Sequence, residues 1–257
     1  MPSGDTILTI YIAGAIAVAV GLGIWRGFFQ ARKIQPGGFR LRTFRNEIFF
    51  AVITLTVSAT LLVWTRQYFD AQGWITFRSG TAPWYVIGLE YALYFFLFDT
   101  WFYWGHRLMH VEPIYKWVHK VHHWSTSPNP LTTFSETPME AIINGIFVTL
   151  FVAVFPVHDA TMALIAPTAP LMGLYVHSGF EFLPRWWNRS WLSKWFITAT
   201  FHDQHHKYFR YNFGGYTPIW DYLCGTNRSK YEADFDKLKD RAARSRKVQD
   251  AAGLAEG

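Results

Sequence analysis

The chain has 257 residues with a formal net charge of +6, and it is 51% hydrophobic, 19% aromatic and only 16% charged. Soluble domains carry roughly 25% charged residues, so this balance points to a membrane protein built as one large unit. A single cysteine, Cys224, excludes an internal disulfide framework and any four-cysteine zinc or iron–sulfur site.

In chain order, Ile7 to Trp25 is an uncharged run close to the ~20 residues needed to cross ~30 Å of hydrocarbon. No basic stretch precedes it, so a cleaved signal peptide is not expected. Ile48 to Trp64 is a second, shorter uncharged run. Trp84 to Gly105 is a third, "WYVIGLEYALYFFLFDTWFYWG", interrupted by Glu90 and Asp99. Ala141 to Val157 and Ala160 to Val176 follow, joined through His158 and Asp159. Both are short, and Pro156, Pro167 and Pro170 suggest a tilted or incompletely spanning hairpin. The expected fold is therefore an all-α integral membrane protein of about four to five membrane helices with a cytoplasmic helical cap. The alternative is a set of buried core helices, which several long uncharged runs disfavour.

Basic residues set the expected orientation. The connection from Arg26 to Asn46 carries Arg26, Arg32, Lys33, Arg40, Arg42 and Arg45 and no acid, and the tail after His177 is rich in Lys and Arg, including "DKLKDRAARSRK". By the positive-inside rule the 26–46 loop, the 106–140 segment and the tail face the cytoplasm. Topology thus accounts for the basic excess, and no nucleic-acid partner is needed. The tail from about Ala233 reads as a polar helix with a solvated charged face. "QPGG" at 35–38 is a turn signal; it lacks the histidine of a haem-binding turn.

The histidines are the main chemical signal. Nine of the ten fall at the cytoplasmic ends of these segments. His106 and His110 are four apart; His119, His122 and His123 form HxxHH; His202, His205 and His206 repeat it; His177 stands alone. On a helix these spacings put the rings of each group on one face, aimed at one point. Imidazole suits iron, zinc, copper and nickel, and nine rings exceed a single coordination sphere, so two metal ions are expected. His158, on the opposite side, reads as a satisfied interfacial residue. Zinc sites usually take four ligands, so a histidine-rich pair at a membrane surface suits redox iron better. Carboxylates are expected to orient the ring N–H groups, the candidates being Asp99, Glu136, Glu140, Asp203 and Asp221.

"DTWFYWGHRLMH", "YKWVHKVHHWSTSPNPLTTFSETPME", "HSGFEF" and "FHDQHHKYFRYNFGGYTPIWDYLCGT" together resemble the fatty acid hydroxylase superfamily, which includes sterol desaturases and sterol C-4 methyl oxidases. The resemblance covers roughly residues 84 to 227. It divides the chain into N-terminal membrane helices and a basic loop (1–83), a catalytic domain (84–227) and a polar basic tail (228–257). It implies a membrane oxygenase with two non-haem irons, using dioxygen and two electrons to hydroxylate or desaturate a lipid. His106, His110, His119, His122, His123, His177, His202, His205 and His206 match the family's ligand and catalytic positions. Glu181 sits where some members place a further histidine and is a candidate ligand. "HSG" followed by an acid resembles C-4 methyl oxidases, whereas "HKYFRYNFGGYTPIWD" is closer to C-5 desaturases, so the substrate stays open.

Trp101, Tyr103, Trp104, Trp117 and Trp124 flank the boxes and would line a substrate channel or form an interfacial belt. No haem, flavin or iron–sulfur motif is present, so a cytochrome b5-like or ferredoxin-type donor, or its reductase, would supply electrons, docking on the basic tail or leaving that tail to the membrane surface. The short chain leans towards a bacterial inner membrane over the endoplasmic reticulum. Two other classes fit the same boxes: a zinc-dependent hydrolase or isomerase, and a non-enzymatic metal or haem carrier.

Overall fold

The computed structural model describes residue 13, residues 29–35 and residues 41–255, so the expected first span, Ile7 to Trp25, lies outside the described residues apart from residue 13. The described chain is helical. α1 is Leu41–Ala71, α2 Trp84–Met109, α3 Pro138–Val154, α4 Asp159–Val176, α5 Ala199–Tyr208, α6 Ile219–Leu223 and α7 Tyr231–Ala255. Among the described residues there is no strand beyond two isolated bridges, Lys33 with Phe180 and Arg78 with His158.

The expected second run lies within α1. The buried residues of α1 are Glu47, Ala51, Thr54 and Ser58, a stripe of small and polar side chains at helical spacing. Its large apolar residues, among them Phe49, Val52, Leu61 and Trp64, point outward. That is the reverse of a soluble amphipathic helix and the pattern of a helix whose outer face meets hydrocarbon. Among the described residues α1 is the one helix both long and apolar enough to cross a membrane by length and composition; α3 is apolar but shorter.

α1 packs on α3, and α2 packs on α3 and α4. Tyr94, Phe98, Phe147, Phe151 and Ile165 form the centre of this packing, with Tyr94 and Ile165 fully buried. α4 runs unbroken through Pro167 and Pro170. Each proline only removes one N–H donor from the ladder. His158 caps α4, accepting from Ala160 N at 3.1 Å, while its Nε2 meets Gly80 O at 3.0 Å. It stands apart from the other histidines, in a structural role at the opposite end of the bundle.

At the end where α2 finishes, the backbone leaves α-helical geometry. Tyr115–His119 is one π-helical turn and His122–Trp124 one 3₁₀ turn. Such turns change the angular spacing of successive side chains and recur at functional sites. α5 ends at Phe209 with φ 63°, and Asn212 has φ 61°. A left-handed phenylalanine costs energy, so the surrounding packing has to hold this turn in place.

Candidate metal centre

The nine box histidines meet in the folded protein as two groups. His106, His110, His119, His123 and His205 form one, and His122, His177, His202 and His206 the other; within each group the ligand atoms all lie within 4.8 Å of one another. The sequence pattern predicts that each HxxHH aims at one point, and the structure corrects this. In both triplets the first and last histidines, four residues apart, go to one centre and the middle one goes to the other. About a 40° turn separates residues i and i+4 on a helix, whereas i+3 and i+4 differ by about 100°. Two centres side by side therefore draw the adjacent rings apart, and the boxes interlock.

Six rings have their tautomer fixed by their partners. His106 Nδ1 donates to Phe213 O at 2.8 Å, His122 Nδ1 to Ser135 O at 3.3 Å and His177 Nδ1 to Gly173 O at 2.9 Å. His205 Nδ1 donates to Tyr211 O at 2.7 Å and His206 Nδ1 to Ser125 O at 3.0 Å. A carbonyl cannot donate, so the proton in each pair belongs to the imidazole. His119 Nδ1 faces Glu140 Oε1 at 2.7 Å, and with that carboxylate ionised it is the sixth such pair. The Nε2 atom of a neutral ring so held carries a bare lone pair.

These lone pairs face one another. His106 Nε2 lies 3.0 Å from His119 Nε2, and His177 Nε2 lies 3.2 Å from His122 Nε2 and 3.1 Å from His206 Nε2. With both Nδ1 atoms already protonated, no hydrogen bond is available across any of these gaps. Mutual repulsion is relieved only by a cation shared between the nitrogens. Burial holds His106 and His177 down near pKa 4 and His110 near 2, so the rings are neutral at physiological pH, the form that binds metals.

The spacing also carries geometry. Neighbouring Nε2 atoms lie 2.9 to 3.2 Å apart throughout both groups. Nitrogens about 2.1 Å from a metal are about 3.0 Å apart at right-angled positions and about 3.4 Å apart in a tetrahedron. The edges match right-angled coordination, and five nitrogens exceed a tetrahedral zinc sphere.

Of the five candidate carboxylates, Glu140 alone makes a hydrogen bond to a box histidine ring among the described residues. Asp99 instead accepts from Tyr216 N and Thr217 N, each at 2.9 Å, and from Thr217 Oγ1 at 2.5 Å. Asp221 accepts from Phe213 N at 2.8 Å and Gly214 N at 2.7 Å. The two clamp the 213–217 loop that presents Phe213 O to His106, so they act on the centre through backbone. Gly214 and Gly215 allow the close fit: a Cβ on Gly214 would stand 2.2 Å from Thr217 O, and one on Gly215 2.5 Å from the Phe102 ring. Asp203 accepts from Gln35 Nε2 at 2.9 Å. Glu136 faces the cavity described below, where burial pushes its carboxyl up to about 8, so it keeps its proton at neutral pH.

Glu181 is fully buried, but its oxygens accept from Leu183 N at 3.0 Å and from Thr200 N and Oγ1 at 2.9 and 2.7 Å. It ties the 181–183 turn to the start of α5 and belongs to neither histidine group. Sequence reasoning missed Glu47, which accepts from Ser125 Oγ, from Thr132 Oγ1 at 3.0 Å and from Asn129 Nδ2 at 2.8 Å. It pins the loop after the second box to α1. The available signal was a carboxylate heading an otherwise apolar helix.

A cavity of about 500 Å³ opens onto both groups, reaching His106, His119, His122, His177 and His202. Its walls come from α1 to α4 and are mostly apolar, with Phe98, Phe102, Ile165 and Val176 among them. Of the flanking aromatics expected along a channel or in an interfacial belt, Trp101, Tyr103, Trp104, Trp117 and Trp124 all lie outside this lining. Tyr103 is buried and stacks on Trp220, while Trp104, Trp117 and Trp124 are exposed.

An all-helical bundle with two buried polyhistidine groups, each able to hold a metal ion, at the foot of an apolar cavity is the architecture to set beside known families. The fatty acid hydroxylase family model matches residues 91–226, and the chain belongs to that family. It is 33% identical over 166 residues to a C-4 methylsterol oxidase of Schizosaccharomyces pombe, covering 58% of this chain and 54% of that protein. It is 30% identical over 219 residues to a very-long-chain aldehyde decarbonylase of Oryza sativa, covering 83% and 80%. With a lathosterol oxidase of Homo sapiens it shares 26% identity over 197 residues, covering 73% and 63%. The chain thus spans about half the length of the first of these relatives. No solved structure matches the chain.

Proposed function

We propose that the protein is a membrane-bound non-haem diiron oxygenase that hydroxylates or desaturates an apolar lipid, using dioxygen and two electrons from a separate donor. The observation that carries this reading is the pairing of bare Nε2 lone pairs at 3.0 to 3.2 Å in both histidine groups. Right-angled nitrogen edges in both groups and the five-nitrogen set in one favour iron over tetrahedral zinc. The names of the sterol oxidase relatives support an oxidative reaction.

In this reading His106, His110, His119, His123 and His205 hold one iron, and His122, His177, His202 and His206 the other. When bound, the iron pair supplies dioxygen activation and oxidation of an unactivated C–H bond. The chain supplies the rest. Glu140 and five backbone carbonyls fix the ring orientations, the apolar wall excludes water, and the cavity brings the lipid to the histidines.

The membrane setting has its own support. Trp84 and Trp104, both exposed, stand at opposite ends of α2. Their twenty-residue separation is about 30 Å of helix, the thickness of a bilayer's hydrocarbon. Exposed Trp117 and Trp124, which flank the second box in the chain, continue the aromatic level beside the histidines. With the basic tail on the same side, the histidines face the cytoplasm and reach the electron donor there. Some of that tail's charge is already used: Arg185 and Arg189 pair with Asp236 on α7.

Elemental analysis of detergent-purified protein, with an absorption spectrum on the same sample, tests the assignment. The expected result is about two irons per chain and no haem band, with lipid oxidation on addition of a reductant. Stoichiometric zinc after iron-replete expression, or a haem spectrum, overturns it.

A further inference from the structure

The end of the cavity away from the histidines has a chemistry of its own. One stripe of α1, running through Thr54, Ser58, Leu62 and Arg66, lines the cavity from end to end. Thr54 Oγ1 donates to Glu136 O at 2.5 Å, which fixes this end of the stripe beside the second histidine box. Arg66 is twelve residues further on, about 18 Å of helix. A second wall gives the same scale. α4 lines the cavity from Met162 to Val176, with His177 at its end, and that span is about 22 Å.

Among the described residues, Arg66 is the only lysine or arginine in the cavity lining. Its guanidinium lies over the Phe77 ring, 5.4 Å from the centroid. Exposed Trp64, Tyr68 and Trp74 surround this level, with Trp64 stacked on Tyr68. Such an aromatic girdle marks a membrane–water interface, where a lipid's head group sits. Between the two ends the wall is mostly apolar, with Leu62, Val63, Tyr94 and Ile165 among its side chains and Ser58, Asn144 and Thr149 the polar exceptions.

Resting on the reading of this cavity as the substrate site, we infer that it takes a long single-chain lipid with an acidic head group, the head held by Arg66 and the oxidised carbon at the opposite end of the chain. A guanidinium matches a carboxylate or phosphate with paired hydrogen bonds. A separation of about 20 Å exceeds half the hydrocarbon thickness and suits an extended acyl chain of ordinary length. It follows that oxidation falls far from the head group.

Equilibrium binding of tritiated palmitic acid and tritiated methyl palmitate to the full-length protein in detergent tests this without relying on turnover. The acid is expected to bind about tenfold more tightly than the ester. Arg66→Ala abolishes that preference and leaves ester binding unchanged, whereas Arg66→Lys keeps most of it. Ala169→Trp, which plugs the cavity wall, abolishes binding of both probes while iron content stays at the wild-type level. Equal binding of acid and ester by the wild type, or a preference that survives Arg66→Ala, overturns the head-group assignment; if the plug still blocks both probes, the cavity stands as the lipid site. Binding of both probes that survives the plug overturns the inference and the cavity reading together.

Discussion

Glu140 Oε1 lies 2.7 Å from His119 Nδ1, with both side chains almost wholly buried. Among the described residues it is the one carboxylate that orients a box histidine directly, and α3 supplies it from its first turn, where Thr137 caps the helix and accepts from Glu140 N at 3.3 Å. What His119 needs is an acceptor for its Nδ1 proton. A glutamine can provide that acceptor and an alanine cannot. Glu140→Gln is therefore expected to keep most of the metal, and Glu140→Ala to weaken retention at the five-histidine centre by about 10- to 100-fold. Metal per chain after dialysis against a graded chelator series reads the difference; equal losses in the two variants would refute the orienting role.

The two centres differ in how many donors they can lose. His177→Ala leaves three nitrogens in its group, whereas His123→Ala leaves four. The first is expected to reduce bound metal by close to one equivalent, and the second to lose only part of one. His205→Ala should resemble His123→Ala and not its sequence neighbour His206→Ala, because the box is split between centres. Elemental analysis of the four purified variants decides it, and matching losses in His205→Ala and His206→Ala would count against the interlocked assignment.

The histidines themselves were legible in the sequence because nine rings at helical spacings are what a metal site needs and what a packed core does not. Their partition was not. It depends on the π-helical and 3₁₀ turns at Tyr115–His119 and His122–Trp124 and on where two helices cross, none of which a spacing rule encodes. The groups that orient the rings were largely invisible for a different reason. Phe213, Ser135, Gly173, Tyr211 and Ser125 contribute main-chain oxygens, which every residue type carries. Asp99 and Asp221 were recognisable as buried acids, but their partners are the N–H groups of a loop whose path only the fold determines. The helical class followed from composition and run length, whereas which face of α1 carries its apolar residues outward emerged only from the packing.

Asp221 gives a pH dependence that can be separated from metal binding by difference. In an unfolded chain its carboxyl ionises near 3.8; burial pushes it up to about 6 in the native protein, against the opposing hydrogen bonds from Thr226, Phe213 and Gly214. The native state then holds this proton more tightly than the unfolded state does. The resulting stability is complete below pH 3.8 and is lost as the pH rises through about 6. Asp221→Asn lacks the titration and places a donor where Phe213 N or Gly214 N expects an acceptor. The variant should be less stable throughout, and its deficit should grow by about 1 kcal/mol between pH 7.5 and pH 5. Chemical unfolding of both proteins in detergent at the two pH values measures it, and a deficit independent of pH would refute the shifted carboxyl.

Gly214 offers the sharpest test of the loop that serves His106. An added Cβ would stand 2.2 Å from Thr217 O and 2.9 Å from Asp221 Oδ2, the first of these a main-chain atom held by Asp99's grip on residues 216 and 217. The loop cannot yield without breaking one of its two carboxylate clamps. Gly214→Ala is therefore expected to cost about 3 kcal/mol or more of stability, comparable to the worst overpacking substitutions in protein cores. Gly215→Ala meets the Phe102 ring first, at 2.5 Å, and a side chain can rotate away where a backbone cannot. That variant should fold with a smaller loss. Because Phe102 lines the cavity beside His106, its displacement should alter lipid binding more than metal content. Thermal midpoints, iron per chain and lipid affinity measured on both variants separate the two effects. Equal destabilisation by the two substitutions would show that the clamp by Asp99 and Asp221 is not what fixes this loop.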